Sequence, residues 1–174
     1  MKKIEDYVRS IPDFPEPGII FRDVTSVLQD PDGLKLAIDS MMKLLEGVDF
    51  DVIVGAESRG FIFGAPLAYQ LHKPFVLVRK KGKLPGATIE RSYDLEYGSA
   101  TLEMHRDSIK PGQKVIVVDD LIATGGTIEA TAALIEELGG EVVKLIFLIE
   151  LAGLKGRERL NKYDIGAVIT YEGK

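Results

Sequence analysis

Residues 115–127 have the sequence Val115-Ile116-Val117-Val118-Asp119-Asp120-Leu121-Ile122-Ala123-Thr124-Gly125-Gly126-Thr127. Four consecutive aliphatic residues are typical of a strand buried on both faces, and the small residues that follow the acidic pair open a helix. Small residues let backbone N–H groups approach an anion closely, and a helix N-terminus adds a favourable dipole. The stretch therefore predicts a phosphate-binding turn at the carboxyl end of a parallel strand.

Short apolar runs alternate with helical segments on both sides of this turn. Strands are expected at 51–55, 75–78, 142–149 and 166–170, and helices at 31–47, 61–71, 127–138 and 154–160. Asp30 is placed to cap the first helix, and Pro31 stands where its missing N–H costs nothing. This alternation indicates an α/β fold with a mostly parallel sheet covered by helices on both faces. Such sheets bind ligands beyond the carboxyl ends of their strands.

The composition narrows the kind of protein further. The chain has 174 residues, 45% of them hydrophobic and 28% charged, with a net charge of −5 and no cysteine. This length favours a single domain, 1–174. A chain without cysteine has no disulfides or thiolate metal sites, which fits a cytoplasmic protein. The acidic balance argues against nucleic-acid binding, and no apolar run approaches the roughly 18 residues of a membrane span.

The acidic pair and the glycines together suggest a sugar phosphate as the ligand. Asp119 and Asp120 can hydrogen-bond vicinal sugar hydroxyls and can help to hold a divalent cation through hydroxyls or water. Thr124 and Thr127 add hydroxyl donors, and Thr127 can also cap the helix. No lysine follows the glycines, so the turn is not a P-loop. The alternative is an ordinary turn whose aspartates only begin a solvated loop, and the complete pattern disfavours it.

This stretch resembles the signature of the type I phosphoribosyltransferases, which bind 5-phosphoribosyl 1-diphosphate (PRPP). The resemblance implies that Asp119 and Asp120 contact the ribose hydroxyls. It implies that the 5-phosphate is bound by Ala123, Thr124, Gly125, Gly126 and Thr127. It also implies Mg²⁺, held indirectly by the acidic pair through PRPP hydroxyls or water. The fold implied is a mostly parallel twisted sheet flanked by helices, with a base-binding hood and a flexible β-arm lid.

The N-terminal region, about 1–30, resembles the base-binding hood of adenine phosphoribosyltransferases. The matching residues are Pro12-Asp13-Phe14-Pro15-Glu16-Pro17-Gly18-Ile19-Ile20-Phe21-Arg22-Asp23. Phe21 offers a ring to stack on a purine, and the backbones of Ile20 and Arg22 are placed to bind its edge. The alternative is a proline-rich arm that packs Phe14 and Phe21 into the core, which we favour for Phe14.

A second strand-to-helix turn, Gly55-Ala56-Glu57-Ser58-Arg59-Gly60-Phe61, contains an arginine. Successive N–H groups and Arg59 suit a pyrophosphate oxygen. The turn is similar to the pyrophosphate loop of the family. That resemblance implies that Ser58 takes part in PRPP binding and that a non-proline cis peptide bond joins Glu57 to Ser58. The alternative is that Arg59 pairs with Glu57 on the surface.

The segment from about 80 to 102 interrupts the alternation and is too long for an ordinary connection. Its alternating pattern around 95–102 predicts a partly ordered β-arm. Two stretches, 79–86 and 92–98, resemble the mobile catalytic loop of adenine phosphoribosyltransferases. The resemblance implies that Arg79 reaches the pyrophosphate, often across a dimer interface, and that Lys83 assists. It also implies that Glu96 manages the proton of the purine.

These features predict an Mg²⁺-dependent enzyme of purine salvage. Adenine and PRPP would give AMP and diphosphate, in a cytoplasmic homodimer that binds neither nucleic acid nor membranes. The resemblance is to the adenine branch in particular, since other purine phosphoribosyltransferases usually have aspartate at the position that corresponds to Ala123. One alternative substrate is hypoxanthine or guanine. The other alternative is a PRPP-binding transcriptional regulator, which would have a DNA-binding module and a degraded lid; we expect neither here.

Overall fold

The computed structural model of the protein describes residues 1–95 and 97–173. The strands are β1 (Arg9–Pro12), β2 (Ile20–Asp23), β3 (Val52–Ala56), β4 (Phe75–Lys80), β5 (Thr88–Asp94), β6 (Ser99–His105), β7 (Lys114–Ile122), β8 (Glu141–Leu151) and β9 (Ile165–Tyr171). The α-helices are α1 (Thr25–Leu28), α2 (Pro31–Lys43), α3 (Arg59–Leu71), α4 (Gly126–Glu137) and α5 (Gly156–Arg159), with short 3₁₀ turns at Ile4–Tyr7 and Ala152–Leu154.

Seven strands form the central sheet, in the order β5-β6-β4-β3-β7-β8-β9. The pairs among β4, β3, β7, β8 and β9 are parallel, and β6 joins β4 and β5 as an antiparallel extension. Strands β1 and β2 pair separately, within the hood. The predicted α/β fold with a mostly parallel sheet is confirmed. Because β3 and β7 are neighbours, their carboxyl ends bring the two predicted anion-binding turns together.

Helices cover both faces of the sheet, which explains the continuous apolar strands. Ile116 packs in one core cluster with Ile38 of α2 and Phe63 of α3. Its neighbours Val115 and Val117 point the other way, into a second cluster that includes residues of α4. Side chains alternate between the faces of a strand, so a strand covered on both faces needs apolar residues at every position. Each fully buried aliphatic side chain stabilises the fold by about 1.5–3 kcal/mol.

The N-terminal cap of α2 agrees with the prediction from the sequence, whereas the cap of α4 does not. The Asp30 side chain accepts hydrogen bonds from the N–H groups of Asp32 (2.8 Å) and Gly33 (3.1 Å), with Pro31 at the first helical position, as predicted. Thr127, by contrast, does not cap α4. The cap position belongs to Gly125, whose φ of 89° is left-handed, so glycine meets this backbone requirement without steric cost.

Several strands extend beyond the apolar runs from which they were predicted. Strand β7 continues through Ile122, so the acidic pair lies within the strand rather than after it. The reason is pairing with β8, which extends to Ile122 opposite Glu150. The predicted β-arm is the antiparallel hairpin β5–β6, which begins at Thr88. In the described part of the chain, no helix combines the length and the apolar character needed to traverse a bilayer.

Candidate active site

A polar cavity of about 480 Å³ opens at the carboxyl ends of β3 and β7. Its walls combine the turn after β3 with the end of β7 and the turn into α4. The lining residues are Glu57, Ser58, Arg59, Lys80, Asp119, Asp120, Leu121, Ile122, Ala123, Thr124, Gly125, Gly126, Thr127 and Ile128. Two turns that lie more than 60 residues apart in the sequence therefore meet at one cavity.

Close packing of backbone against backbone fixes the two turns relative to each other. A Cβ on Gly60 would lie 2.9 Å from the carbonyl oxygen of Val118 and 3.2 Å from Asp119 Oδ1, so only glycine fits there. A Cβ on Gly156 would lie 2.6 Å from the carbonyl oxygen of Ala123. The start of α3 thus packs on the end of β7, and the start of α5 packs against the turn into α4.

The turn into α4 has the features that bind an anion. The first N–H groups of an α-helix have no partner within the helix, and the helix dipole favours negative charge at this end. Thr124 is exposed at the cavity, whereas Gly125 and Gly126 are buried beneath it. The hydroxyl of Thr127 lies 3.0 Å from the hydroxyl of Tyr93 in β5, which places the hairpin beside the turn.

Asp119, the first residue of the acidic pair, is held in an environment that disfavours its negative charge. The N–H of Asp120 donates to Asp119 Oδ1 at 2.8 Å. Burial, and secondarily the adjacent charge of Asp120, raise the pKa of Asp119 well above its ordinary value, and Arg59 offsets only part of this effect. Asp120 Oδ2 lies 2.8 Å from Arg59 Nε, but it accepts no directed hydrogen bond from the described residues. Hydroxyl donors or a cation at this position would stabilise both carboxylates.

The ion pairs of Glu57 and Arg59, in the turn after β3, join this turn to the neighbouring strands. Arg59 pairs with Asp120 and not with Glu57, so the alternative of a Glu57–Arg59 surface pair is wrong. Glu57 instead accepts hydrogen bonds from Arg79 Nη2 (3.1 Å) and from the N–H of Lys80 (2.6 Å). Burial alone would raise the pKa of Glu57, but these two partners outweigh it and lower the pKa below the ordinary value. The peptide bond between Glu57 and Ser58 is cis, as predicted.

Neither Arg79 nor Lys83 lines the cavity, although Arg79 contacts Glu57 on its wall. Arg79 is near the end of β4, and its Nε is buried without a partner among the described residues. Lys83 is exposed in the turn that leads from β4 into the lid. Lys80 reaches the cavity wall, although the sequence did not single it out as a site residue. Its position at the end of a strand next to β3 is the signal that would have identified it.

A second cavity, about 270 Å³ and mostly apolar, adjoins the first. It lies between the hood and the carboxyl ends of β7 and β8, and it shares Arg59, Asp120 and Leu121 with the polar cavity. Its other lining residues are Ile19, Ile20, Phe21, Arg22, Leu151 and Leu154. The predicted base-binding residues thus line a cavity of their own, next to the acidic pair. Leu121, Leu151 and Leu154 were missed, although the ends of β7 and β8 pointed to them.

The side chains of Arg22 and Phe14, both in the hood, have different surroundings. Arg22 directs its guanidinium over the ring of Tyr171, with its carbon 3.9 Å from the ring centroid, and Nη1 donates to Ser10 Oγ at 2.6 Å. Phe14 is half exposed and packs edge-on against Phe21, with the ring centroids 5.3 Å apart. The expectation that Phe14 packs into the core is therefore wrong, because Phe14 lies in the loop between β1 and β2 and belongs to neither core cluster.

Two remaining predictions concern the proton-managing group and the metal. Glu96 lies outside the described residues. Among the residues that are described, no cluster of three or more histidine, cysteine, aspartate or glutamate side chains could hold a metal ion. A cation at this site would therefore take most of its ligands from substrate and water, with Asp119 and Asp120 at its edge.

Comparison with known proteins assigns the chain to a group. Residues 23–170 match the family model of the phosphoribosyl transferase domain. The adenine phosphoribosyltransferase of Butyrivibrio fibrisolvens is 76% identical over all of this chain and 96% of its own. The crystal structure of the Thermoanaerobacter pseudethanolicus enzyme of the same name aligns with a TM-score of 0.92 and 52% identity, over 97% of this chain and 98% of that one. The Saccharomyces cerevisiae enzyme, complexed with D-2,5-dideoxy-2,5-imino-altritol 1,6-bisphosphate and adenine, aligns with a TM-score of 0.88 and 39% identity, over 95% and 96%.

Proposed function

The chain belongs to the adenine phosphoribosyltransferase family, within the type I phosphoribosyltransferases, and we propose that it transfers the 5-phosphoribosyl group of PRPP to adenine in purine salvage. The products are AMP and diphosphate. One observation carries this proposal: the turn after β3, the acidic pair and the turn into α4 line one polar cavity, and the hood cavity adjoins it at Arg59 and Asp120. The relatives named above support adenine as the base.

The turn into α4 holds the 5-phosphate in this proposal. Ala123, Thr124, Gly125, Gly126 and Thr127 supply backbone N–H groups and hydroxyls, and the dipole of α4 adds to their attraction for the phosphate. The carboxylates of Asp119 and Asp120 accept hydrogen bonds from the ribose hydroxyls. Anchoring the sugar at both ends fixes the anomeric carbon between the base and the diphosphate, which lowers the entropic barrier to reaction.

Cationic side chains stabilise the departing diphosphate. Transfer at an anomeric carbon passes through an oxocarbenium-like transition state, in which the leaving group gains negative charge. Ser58 and Arg59 meet that charge from the turn after β3, and Arg79 and Lys83 meet it from the segment after β4. Groups that are already oriented toward developing charge contribute most to catalysis, because they need not reorganise during the reaction.

The base is bound by the hood. The ring of Phe21 stacks on adenine, and the backbones of Ile20 and Arg22 bind its edge. The side chain of Arg22 is engaged by Tyr171 and Ser10, which supports a main-chain role for this residue. Glu96 exchanges a proton with the ring nitrogens as general acid or base, a contribution of about 10²–10⁴-fold in enzymes generally.

Mg²⁺ is the cofactor in this proposal. When bound, it supplies positive charge that stabilises the diphosphate leaving group. Asp119 and Asp120 would hold it indirectly, through PRPP hydroxyls or water. One observation supports this role, since Asp120 Oδ2 is buried and accepts no directed hydrogen bond from the described residues.

A homodimer and a cytoplasmic location complete the proposal. Large apolar side chains are exposed on α3 and β4, namely Ile62, Tyr69 and Leu77. Leu77 and Arg79 lie two residues apart on one strand and thus on the same face of it, so a partner seated on Leu77 would border Arg79. Sedimentation velocity of the wild type and Tyr69→Glu tests this arrangement: we expect a dimer that the substitution weakens, and a monomeric wild type would contradict it.

An assay of AMP formation tests the proposed reaction. Purified protein receives PRPP and Mg²⁺ with adenine, hypoxanthine or guanine, and a parallel series contains a chelator in place of Mg²⁺. We expect turnover of adenine, at least about 100-fold lower kcat/KM with the other bases, and loss of activity with the chelator. Absence of adenine turnover would refute the proposal, and preference for another base would refute its specificity.

A further inference from the structure

The turn from β4 into the lid rests on a buried carboxylate to which nothing above assigns a role. Glu103, in β6, is only 4% exposed. Its Oε1 accepts hydrogen bonds from the N–H of Lys83 (3.0 Å) and from the N–H of Leu84 (2.7 Å). Lys83 is one of the cations proposed to stabilise the diphosphate, so the carboxylate holds the main chain from which a catalytic side chain extends.

Hydrogen bonds from the backbone of the turn stabilise the buried, charged carboxylate of Glu103. Burial of a carboxylate is costly unless hydrogen bonds compensate for the lost water. Here the compensation comes from the turn: the N–H of Leu84 is the main cause of a lowered pKa of Glu103, with the N–H groups of Gly82 and Lys83 adding to it against the opposing effect of burial. Hydrogen bonds to a charged acceptor are roughly twice as strong as neutral ones.

Further contacts tie the same turn to β6 on either side of Glu103. The N–H of Lys81 donates to the carbonyl oxygen of Thr101 at 3.0 Å. His105 Nε2 lies 2.7 Å from the carbonyl oxygen of Pro85. Thr101, Glu103 and His105 are alternate residues of β6, which places all three on one face of the strand. The turn is therefore laid along β6, with Glu103 at the centre of the attachment.

We propose that Glu103 is a positioning residue, which holds the main chain of Lys83 and Leu84 so that the ammonium group of Lys83 is oriented toward the diphosphate. This inference rests on the proposed function. Glu103 itself lines neither cavity, and it acts through Lys83. Orientation of a cation matters most in the transition state, when negative charge develops on the leaving group, so the loss of Glu103 lowers kcat more than it raises KM.

The kinetic test compares three single variants. Glu103→Ala removes the acceptor, whereas Glu103→Gln retains an amide oxygen that can accept the same N–H bonds without the charge. Glu90→Gln is the matched control, because Glu90 faces Glu103 across the β5–β6 pair and is exposed. We expect kcat to fall about 10-fold or more in Glu103→Ala, with the KM for adenine changed less than about twofold, and Glu103→Gln to recover part of the loss. An equal kcat in Glu103→Ala and Glu90→Gln would overturn the proposal.

A double-mutant cycle separates positioning of Lys83 from a general effect on folding. If Glu103 acts through Lys83, the variant with both Lys83→Ala and Glu103→Ala has about the same kcat as Lys83→Ala alone. A further drop of about 10-fold in the double variant would show that Glu103 acts elsewhere and would overturn the proposal. Thermal unfolding is measured for each variant, and Glu103→Gln replaces Glu103→Ala in the cycle where the latter is unfolded at the assay temperature.

Amide hydrogen exchange tests the attachment without any catalytic readout. In Glu103→Ala, peptides covering 82–85 should exchange about 10-fold faster or more than in the wild type and in Glu90→Gln, because two N–H groups lose their acceptor. Unchanged exchange would overturn the proposal even in an active enzyme. Faster exchange in a protein that fails to convert adenine would retain the attachment and place the failure in the proposed function.

Discussion

The turn after β7 and the segment after β4 both face the proposed phosphoryl groups of PRPP, but they are built in different ways. The first consists of backbone, packed so closely that Gly60 and Gly156 have no room for a Cβ. The second consists of long side chains on a more exposed strand end, and carboxylates elsewhere in the sequence hold it in place: Glu57 for Arg79, and Glu103 for Lys83. A site built from backbone should lose most of its activity when a single methyl group is added. A site built from side chains should lose activity gradually when one hydrogen-bond partner is removed.

The largest effect is expected for Gly60→Ala, which adds one methyl group between the two turns. The new Cβ would stand 2.9 Å from a backbone oxygen, which cannot move without shifting the end of β7. We expect kcat/KM to fall at least about 100-fold and the free energy of unfolding to fall by about 1–3 kcal/mol. Steady-state kinetics and urea unfolding measure the two quantities.

Gly47→Ala is the control for this substitution. Gly47 has a φ of 75°, it lies after α2 and outside both cavities, and a Cβ there would meet no atom within 4 Å. It should lose about 1–2 kcal/mol of stability from the left-handed conformation while kcat/KM stays at the wild-type value. Equal activity in the two variants would remove the distinction between a backbone site and a side-chain site.

A smaller effect is expected for Asp120→Asn, at the boundary of the two cavities. The substitution removes a buried charge that pairs with Arg59, and with it an acceptor proposed for the ribose hydroxyls. We expect kcat/KM for PRPP to fall about 10–100-fold, whereas stability changes little because Arg59 is half exposed and readily solvated. Initial rates at varied PRPP and calorimetric unfolding check both statements. Wild-type kinetics would contradict the role of Asp120.

The side-chain site should be more tolerant, and Glu57→Gln tests this tolerance. The amide can still accept the N–H of Lys80, but it loses the charge that pairs with Arg79. We expect kcat to fall about 3–10-fold, a smaller loss of activity than the losses expected for Gly60→Ala and Asp120→Asn. Glu90→Gln, which removes a carboxylate from an exposed pair with Lys81, is the control. A loss above about 100-fold would place Glu57 in the chemistry rather than in support of Arg79.

The smallest effect is a change in how stability depends on pH. The N–H groups of the turn, that of Leu84 above all, lower the folded-state pKa of Glu103 below its ordinary value. A lowered pKa contributes stability above the unfolded-state value, and this contribution is lost as pH falls through the folded-state value. We therefore expect the wild type to exceed Glu103→Gln in urea midpoint at pH 7, and the difference to shrink between about pH 5 and pH 3. A difference that stayed constant across this range would contradict the assignment.

The difference between the two regions also explains what could be predicted from the sequence. That residues 119–127 meet at one cavity could be predicted from the sequence, because a turn built from backbone requires small residues in consecutive positions and leaves a local pattern. The Glu103–Lys83 contact could not be predicted, since it joins residues 20 apart through a backbone N–H that leaves no trace in residue type. Likewise, Arg59 pairs with Asp120 rather than with nearby Glu57, because packing of α3 on β7 decides which carboxylate is in reach.

The order of ligand groups along the two cavities is the central claim, and a crystal structure with AMP tests it most directly. We expect the phosphate oxygens to lie about 3 Å from N–H groups of 124–127, the ribose hydroxyls to contact Asp119 and Asp120, and the adenine to stack on Phe21 in the hood cavity. AMP bound with its phosphate away from the turn, or with its base outside the hood cavity, would contradict the account.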